Sequence, residues 1–271
     1  MTPCSIGWFE GRWGEPHQLS LPLSDRGLQL ADGLFETVLV LDGRPQLLEA
    51  HLQRWHQSAG LLSMAPPPDA TTLEPLIREA VALAGLEHGS GALRLNWSRG
   101  DSTGRGIAVP EAHSPHRFWL QLSPHTPSFS PQTAIVSRQE RRNSTSLLSR
   151  CKTFAYGQAI QARLEAQRAG ADEALLLASG GELCCATTAN LLIQRQGHWL
   201  TPALSSGCLP GVMRARLIEQ AMAQEADLIP QPQSGDSWLL INSLGCRPLS
   251  SVDGIPLKLH PNAEALWRSL L

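Results

Sequence analysis

At 271 residues, with 42% hydrophobic and 17% charged side chains, the chain is too apolar for disorder and long enough for one large domain or two smaller ones. Its formal net charge of −2 weighs against a nucleic-acid or anionic-membrane surface, either of which needs a clustered positive field. No run approaches the roughly 20 apolar residues of a membrane span, and the opening residues carry no basic stretch ahead of an apolar core, so a soluble, cytoplasmic protein is expected.

In chain order, residues 6–14 read as a short hairpin punctuated by glycine. A loop over 25–37 leads into a strand at 38–41, which turns at Asp42-Gly43 and returns through Pro45. Residues 48–62 have helical spacing, with Leu48, His51, Leu52, Trp55 and Ala59 on one face and Arg54 off that stripe. Pro66-Pro67-Pro68 separates this helix from a second at 72–86. Strands follow at 92–97 and 118–122, joined across the loop Ser98-Arg99-Gly100-Asp101-Ser102-Thr103-Gly104-Arg105-Gly106. Its glycines and arginines suit either a cover over an anion or a solvated hairpin end. Residues 123–132, with three prolines and three serines, are the linker candidate, dividing the chain into α/β domains at 1–122 and 133–271. The second half opens with a strand at 134–137 and a polar stretch to Arg150. A helix over 154–168 then stops at Gly170. A strand at 173–178 turns at Ser179-Gly180-Gly181 and returns over 182–194. Leu209-Pro210-Gly211 starts a helix running to about residue 226. The tail gives a strand at 238–241, a polar break at Asn242-Ser243, a hairpin around Asp253-Gly254 and a final helix from Asn262.

The six cysteines (Cys4, Cys151, Cys184, Cys185, Cys208, Cys246) show neither paired zinc spacing nor a C-x-x-C redox motif, and the nine histidines lack H-x-x-x-H spacing, so no protein-bound metal is expected. Lysine is more informative. Lys152 and Lys258 are the only two, against 20 arginines, and arginine cannot serve as a nucleophilic amine. Lys258 lies in a turn-rich tail. Lys152, at the entrance of a helix and beside aromatic residues, is either a solvated cation or a Schiff-base candidate. Three features are compatible with a phosphate near it. Pro210 and Gly211 at a helix start leave the amides of Val212 and Met213 without helical acceptors. Asn242-Ser243 follows an apolar strand, where ligands often sit. Arg54 stands off its helix's apolar stripe. An amine plus a phosphate cradle is what pyridoxal 5'-phosphate demands.

The segments Asp32-Gly33-Leu34-Phe35-Glu36-Thr37, His51-Leu52-Gln53-Arg54, Lys152-Thr153 with Tyr156, Ala171-Asp172-Glu173-Ala174, Asn190-Leu191-Leu192, Thr201-Pro202, Leu209-Pro210-Gly211-Val212-Met213-Arg214 and Asn242-Ser243-Leu244 occur in that order. Together they resemble the ordered motifs of the class IV aminotransferases, the fold type IV pyridoxal-phosphate enzymes. That group includes branched-chain and D-amino-acid aminotransferases and aminodeoxychorismate lyase. The resemblance covers nearly the whole chain. It implies two α/β domains with the cofactor between them and a homodimer that completes each site. It implies Lys152 as the Schiff-base lysine, Arg54 on the cofactor phosphate, and Tyr156, Asn190, Gly211, Val212, Met213, Asn242 and Ser243 as further cofactor contacts, with Thr37 a helper in catalysis. The family pattern G-x-V-x-E carries a glutamate five residues before the asparagine, facing the pyridine nitrogen. Here that position is Cys185. A thiol is a poor partner for a pyridinium. Glu182 would need a three-residue slip, and an odd slip reverses the strand face. A weakened electron sink favours an elimination that gains aromaticity, so the expected activity is the lyase forming 4-aminobenzoate and pyruvate from 4-amino-4-deoxychorismate in folate synthesis. An aminotransferase for a branched-chain or D-amino acid, and a cofactor-binding protein with impaired catalysis, are the alternatives.

Overall fold

The computed structural model describes residues 3–102, 104–109 and 115–271. The chain divides into two compact units, Met1–Thr126 with Cys151–Ala155, and Pro127–Arg150 with Tyr156–Leu271. The second unit differs from a domain at 133–271 mainly in one internal segment: Cys151–Ala155, which carries Lys152, clusters with the first unit.

In the first unit β1 (Ile6–Phe9), β2 (Arg12–Gly14), a one-turn α1 (Arg26–Leu30), β3 (Gly33–Leu41), β4 (Arg44–Pro45), α2 (Leu48–Leu61), α3 (Ala70–Ala84), β5 (Ser90–Ser98) and β6 (Arg117–Pro124) follow one another. The strands form one antiparallel sheet in the order β2-β1-β6-β5-β3-β4. Leu34, Val38 and Val40 of β3, Leu93 and Leu95 of β5, and Leu120 and Leu122 of β6 alternate onto one face. There they meet Leu52, Trp55 and Ala59 of α2 and Leu73, Ile77 and Val81 of α3. The helices end where the chain can leave them, α3 at left-handed Gly85. β3 begins at Gly33, five residues before the expected strand at 38–41. Eight consecutive residues of it, from Gly33 to Val40, include only one that is not buried, so no inside–outside alternation marked its start.

The second unit contains β7 (Gln132–Arg142), α4 (Gly157–Arg168), β8 (Glu173–Ala178), β9 (Leu183–Ala186), β10 (Asn190–Arg195), β11 (His198–Pro202), α5 (Val212–Glu219), β12 (Ala223–Ala226), β13 (Ser237–Asn242), β14 (Gly245–Val252), β15 (Ile255–Pro256) and α6 (Ala263–Arg268). Its mixed sheet runs β12-β11-β10-β13-β14-β7-β8-β9, with β15 paired to β14. Three expectations change here. The strand over 182–194 is two strands: β9 pairs with β8, while β10 pairs with β11 and β13. The helix expected to reach residue 226 stops at Glu219, because Ala221 takes a left-handed conformation and Ala223–Ala226 then adds a parallel edge strand to β11. The helix expected from residue 154 starts at Gly157, since the backbone of Phe154 is engaged with Gly33.

Candidate active site

In the first unit the segment carrying Lys152 lies along the start of β3. Phe35 N–H donates to the Lys152 carbonyl at 2.9 Å, and Phe154 N–H donates to the Gly33 carbonyl at 3.0 Å. Leu34 and Thr153 face each other as an antiparallel bridge. Phe154 covers Gly33 so closely that a Cβ there would enter its ring, which explains the glycine of Asp32-Gly33-Leu34-Phe35-Glu36-Thr37. Cys151 turns into the apolar core with Leu34 and Val38. Lys152 points the other way, and its Nζ stands 4.4 Å from the centre of the Phe35 ring. The Arg94 guanidinium carbon stands 3.6 Å from the same centre. Thr37 lies two residues along β3 from Phe35, on the same face, opposite Arg94 in register.

The other face of β3 carries Glu36, fully buried against α2. Arg54 donates to it from Nε (2.8 Å) and Nη2 (2.5 Å), and His51 lies 2.8 Å from it through Nδ1. Arg54 is 8% exposed, so it is no solvated arginine. Burial alone would raise the Glu36 carboxyl, but the Arg54 charge and the hydrogen bonds from His51 and Arg54 outweigh it and bring the pKa down to about 2. Burial moves the His51 imidazole the other way, below its usual range, despite the carboxylate beside it.

The loop read from Ser98 to Gly106 contains Thr103, which lies outside the described residues. Arg99 does not reach outward: it pairs with Asp32 and donates to the carbonyls of Ser63 and Leu62. It ties the loop to its own unit.

In the second unit Asn190, at the head of β10, donates from Nδ2 to the Leu209 carbonyl at 2.9 Å. Its Oδ1 occupies the space that a Cβ at Gly211 would need. Gly211 is the N-cap of α5 and brings no capping side chain, so the amides of Val212 and Met213 open the helix with no carbonyl four residues back to bond. Both residues are buried. Asn242 closes β13, where its Oδ1 accepts from Leu244 N–H (2.8 Å), its Nδ2 donates to Thr188 and its carbonyl accepts from Trp267 Nε1 (2.9 Å). Ser243 is half-buried beside it. Tyr156, half-buried, immediately precedes α4.

Cys185 is buried on β9, opposite Leu176. The pairing then jumps, Leu177 standing opposite Leu183, so Cys184 is the extra residue of a β-bulge. Both cysteines consequently pack in one apolar cluster with Ala162, Ala166, Leu176 and Cys208. The bulge corrects the argument that an odd slip must reverse the face here. A thiol–thiol hydrogen bond from Cys185 to Cys184, together with burial, holds the Cys185 thiol well above its usual range, and burial pushes Cys208 up to about 11. Cys185 is therefore a neutral group at physiological pH.

Taken unit by unit, the chemistry suits a phosphate-bearing aldehyde: in the second unit α5 opens at Gly211 without a capping side chain, and in the first Lys152 is an amine held over an aromatic ring. The sequence reading quoted Glu36 only within the segment Asp32–Thr37, without a role, and did not single out Trp267; both touch candidate residues. The Glu36 signal was available as a carboxylate in a strand that is apolar but for it and Thr37.

Residues 33–252 match a family model described as amino-transferase class IV. A bifunctional aminodeoxychorismate lyase / D-amino acid transaminase of Mycobacterium tuberculosis is 28% identical over 291 residues, covering 93% of this chain and 93% of that one. The aminodeoxychorismate lyase of Bacillus subtilis is 26% identical over 216 residues, 79% of this chain and 73% of its own. Among solved structures, a hypothetical aminotransferase from Mycobacterium tuberculosis in its PLP-bound form superposes with a TM-score of 0.83 at 24% identity, over 98% of this chain and 97% of that one.

Proposed function

The chain belongs to the class IV aminotransferase family of pyridoxal-phosphate-dependent enzymes, and from that premise we propose that it is an aminodeoxychorismate lyase, converting 4-amino-4-deoxychorismate to 4-aminobenzoate and pyruvate. When bound, the cofactor supplies an aldehyde that captures amines and a ring that takes up electron density from the carbon bearing the amine. In this reading Lys152 holds the aldehyde through Nζ. Released from it, the same amine removes the proton from the substrate carbon that bears nitrogen. The neighbouring carbon–oxygen bond breaks, and a proton delivered to the methylene of the departing enolpyruvate makes pyruvate. Thr37, on the Lys152 side of β3, assists that transfer directly or through water. Arg54, the helix start at Gly211 with the amides of Val212 and Met213, Asn242 and Ser243 hold the phosphate. Tyr156, Asn190 and Cys185 hold the ring.

The observation that carries the choice of reaction is the neutral, buried thiol of Cys185. A thiol cannot stabilise a protonated pyridine as a carboxylate does, so the ring is a poorer electron sink. Elimination tolerates this, because the aromatic product supplies driving force. The second reading, transfer of an amino group from a branched-chain or D-amino acid, is supported by the double name of the mycobacterial relative. We further read the enzyme as a cytoplasmic homodimer serving folate synthesis. Leu30 and Ile107 line one shallow hollow, and Ile107 is 82% exposed, a surface that a second copy would cover.

The test supplies cofactor-loaded protein with 4-amino-4-deoxychorismate, and separately with amino donors and keto acids. Pyruvate and 4-aminobenzoate appearing in equal amounts is the expected result. Amino transfer without either product sinks the lyase reading. If neither reaction occurs while borohydride still traps the cofactor on Lys152, the protein binds the cofactor with impaired catalysis.

A further inference from the structure

Glu36 is chemically out of place. It is a fully buried carboxylate on a strand whose flanking inward residues, Leu34 and Val38, are apolar. A buried ion pair adds little to stability over a well-packed apolar pair of the same shape, because desolvating both charges offsets their attraction. The pair specifies geometry instead. Arg54 meets Glu36 through Nε and Nη2, one flat edge of the guanidinium against both carboxylate oxygens. His51, one helical turn earlier on α2, meets the same carboxylate through Nδ1 at Oε2. With the imidazole neutral, Nδ1 is the donor, and the carboxylate is held from two sides. An arginine on a helix ordinarily samples many rotamers, so a forked contact of this kind removes the freedom that a ligand would otherwise have to remove.

We infer that Glu36 is a positioning residue that fixes the Arg54 guanidinium in the orientation in which it meets the cofactor phosphate, with His51 steadying Glu36. The inference rests on the reading of Arg54 as a phosphate ligand. Nothing in the motif assigns Glu36 such a role from sequence; the three contacts do.

The discriminating measurement compares two ligands that differ only in the phosphate. The full chain, freed of cofactor, is titrated with pyridoxal 5'-phosphate and with pyridoxal, and both dissociation constants are read by calorimetry for wild type, Arg54→Gln, Glu36→Gln and Glu36→Asp. Arg54→Gln should weaken pyridoxal 5'-phosphate and leave pyridoxal within twofold. Glu36→Gln keeps the shape but not the charge, and should reproduce that split at about tenfold, the order expected for a partner acting through a ligand. Glu36→Asp keeps the charge but shortens the reach. It should show the same selective loss to a smaller degree, and it serves if the glutamine variant does not fold. If Arg54→Gln splits the two ligands while both Glu36 variants weaken them equally, or not at all, Glu36 is only structural and the inference fails. If Arg54→Gln itself shows no split, the phosphate reading of Arg54 fails, and the inference with it.

Discussion

A carboxylate and an imidazole, both buried and both with depressed pKa values, set the acid sensitivity of the first unit. Glu36 titrates at about 2 in the folded chain against 4.5 unperturbed. Unfolding therefore takes up a proton whenever the pH lies between those values, and the stabilisation, of order 3 kcal/mol, is complete above 4.5 and lost as the pH falls towards 2. His51 works in the same direction, because its folded value lies below 6.5: stability starts to fall as the pH drops through 6.5. Thermal unfolding followed from pH 7.5 to 3.5 should show a midpoint that declines in two stages, the second shallower in Glu36→Gln. A midpoint independent of pH over that range contradicts the buried pairing. Cys185 carries a second prediction at this scale. Cys185→Glu should raise the rate of transamination half-reactions, read from the cofactor's absorbance with an amino acid alone, if the thiol faces the pyridine nitrogen. An unchanged rate places the thiol elsewhere. Neither effect was readable in full from the residues. Cys185 could be counted into position from Asn190, but the bulge that puts Cys184 beside it arises from pairing with β8, which no local pattern announces.

Elements were legible in proportion to their periodicity. Residues 48–62 were read as a helix from one apolar stripe, and α2 spans Leu48–Leu61. Residues 173–178 were read as an apolar strand, and β8 has those limits. The reading failed where tertiary pairing decided the outcome. Ala223–Ala226 has no strand propensity to speak of and becomes an edge strand only because β11 lies alongside. The last helix shows how an element of no evident motif supports the candidate site. Trp267 of α6 is fully buried, packs edge-on to Phe129 at 5.4 Å and donates its indole N–H to the Asn242 carbonyl. Trp267→Phe keeps most of the packing and removes that donor. It should cost about 1–3 kcal/mol in urea unfolding, as expected for a buried carbonyl left without its partner. It should also weaken cofactor binding if Asn242 contacts the phosphate. A stability loss with unchanged cofactor affinity separates α6 from the site.

At the scale of the whole molecule, the order of the motifs was legible and the return of one short segment to the first unit was not. A proline- and serine-rich stretch marks 123–132, and the units change over between Thr126 and Pro127. Nothing in the composition of Cys151–Ala155 says that it returns to the first unit; its backbone bonds to Gly33 and Phe35 do. Sedimentation should give twice the 29.4 kDa of the chain. Ile107→Glu, at an exposed position that no packed core uses, should shift the protein towards monomer without changing its circular dichroism. A wild-type protein that sediments as a monomer at micromolar concentration disposes of the dimer.

The return of Cys151–Ala155 also governs the order in which the molecule can be completed during synthesis. All six strands of the first sheet have been made once residue 124 has left the ribosome, yet that sheet still lacks the segment bearing its amine. The hydrogen bond from Phe35 to the Lys152 carbonyl closes a loop of 117 residues, 152 minus 35, and closing so long a loop costs entropy that short-range pairing never meets. A nascent chain can thus hold a folded first sheet that Lys152 has not yet joined. On the proposed role of Lys152, chemical competence arrives late, when Cys151–Ala155 comes back to β3.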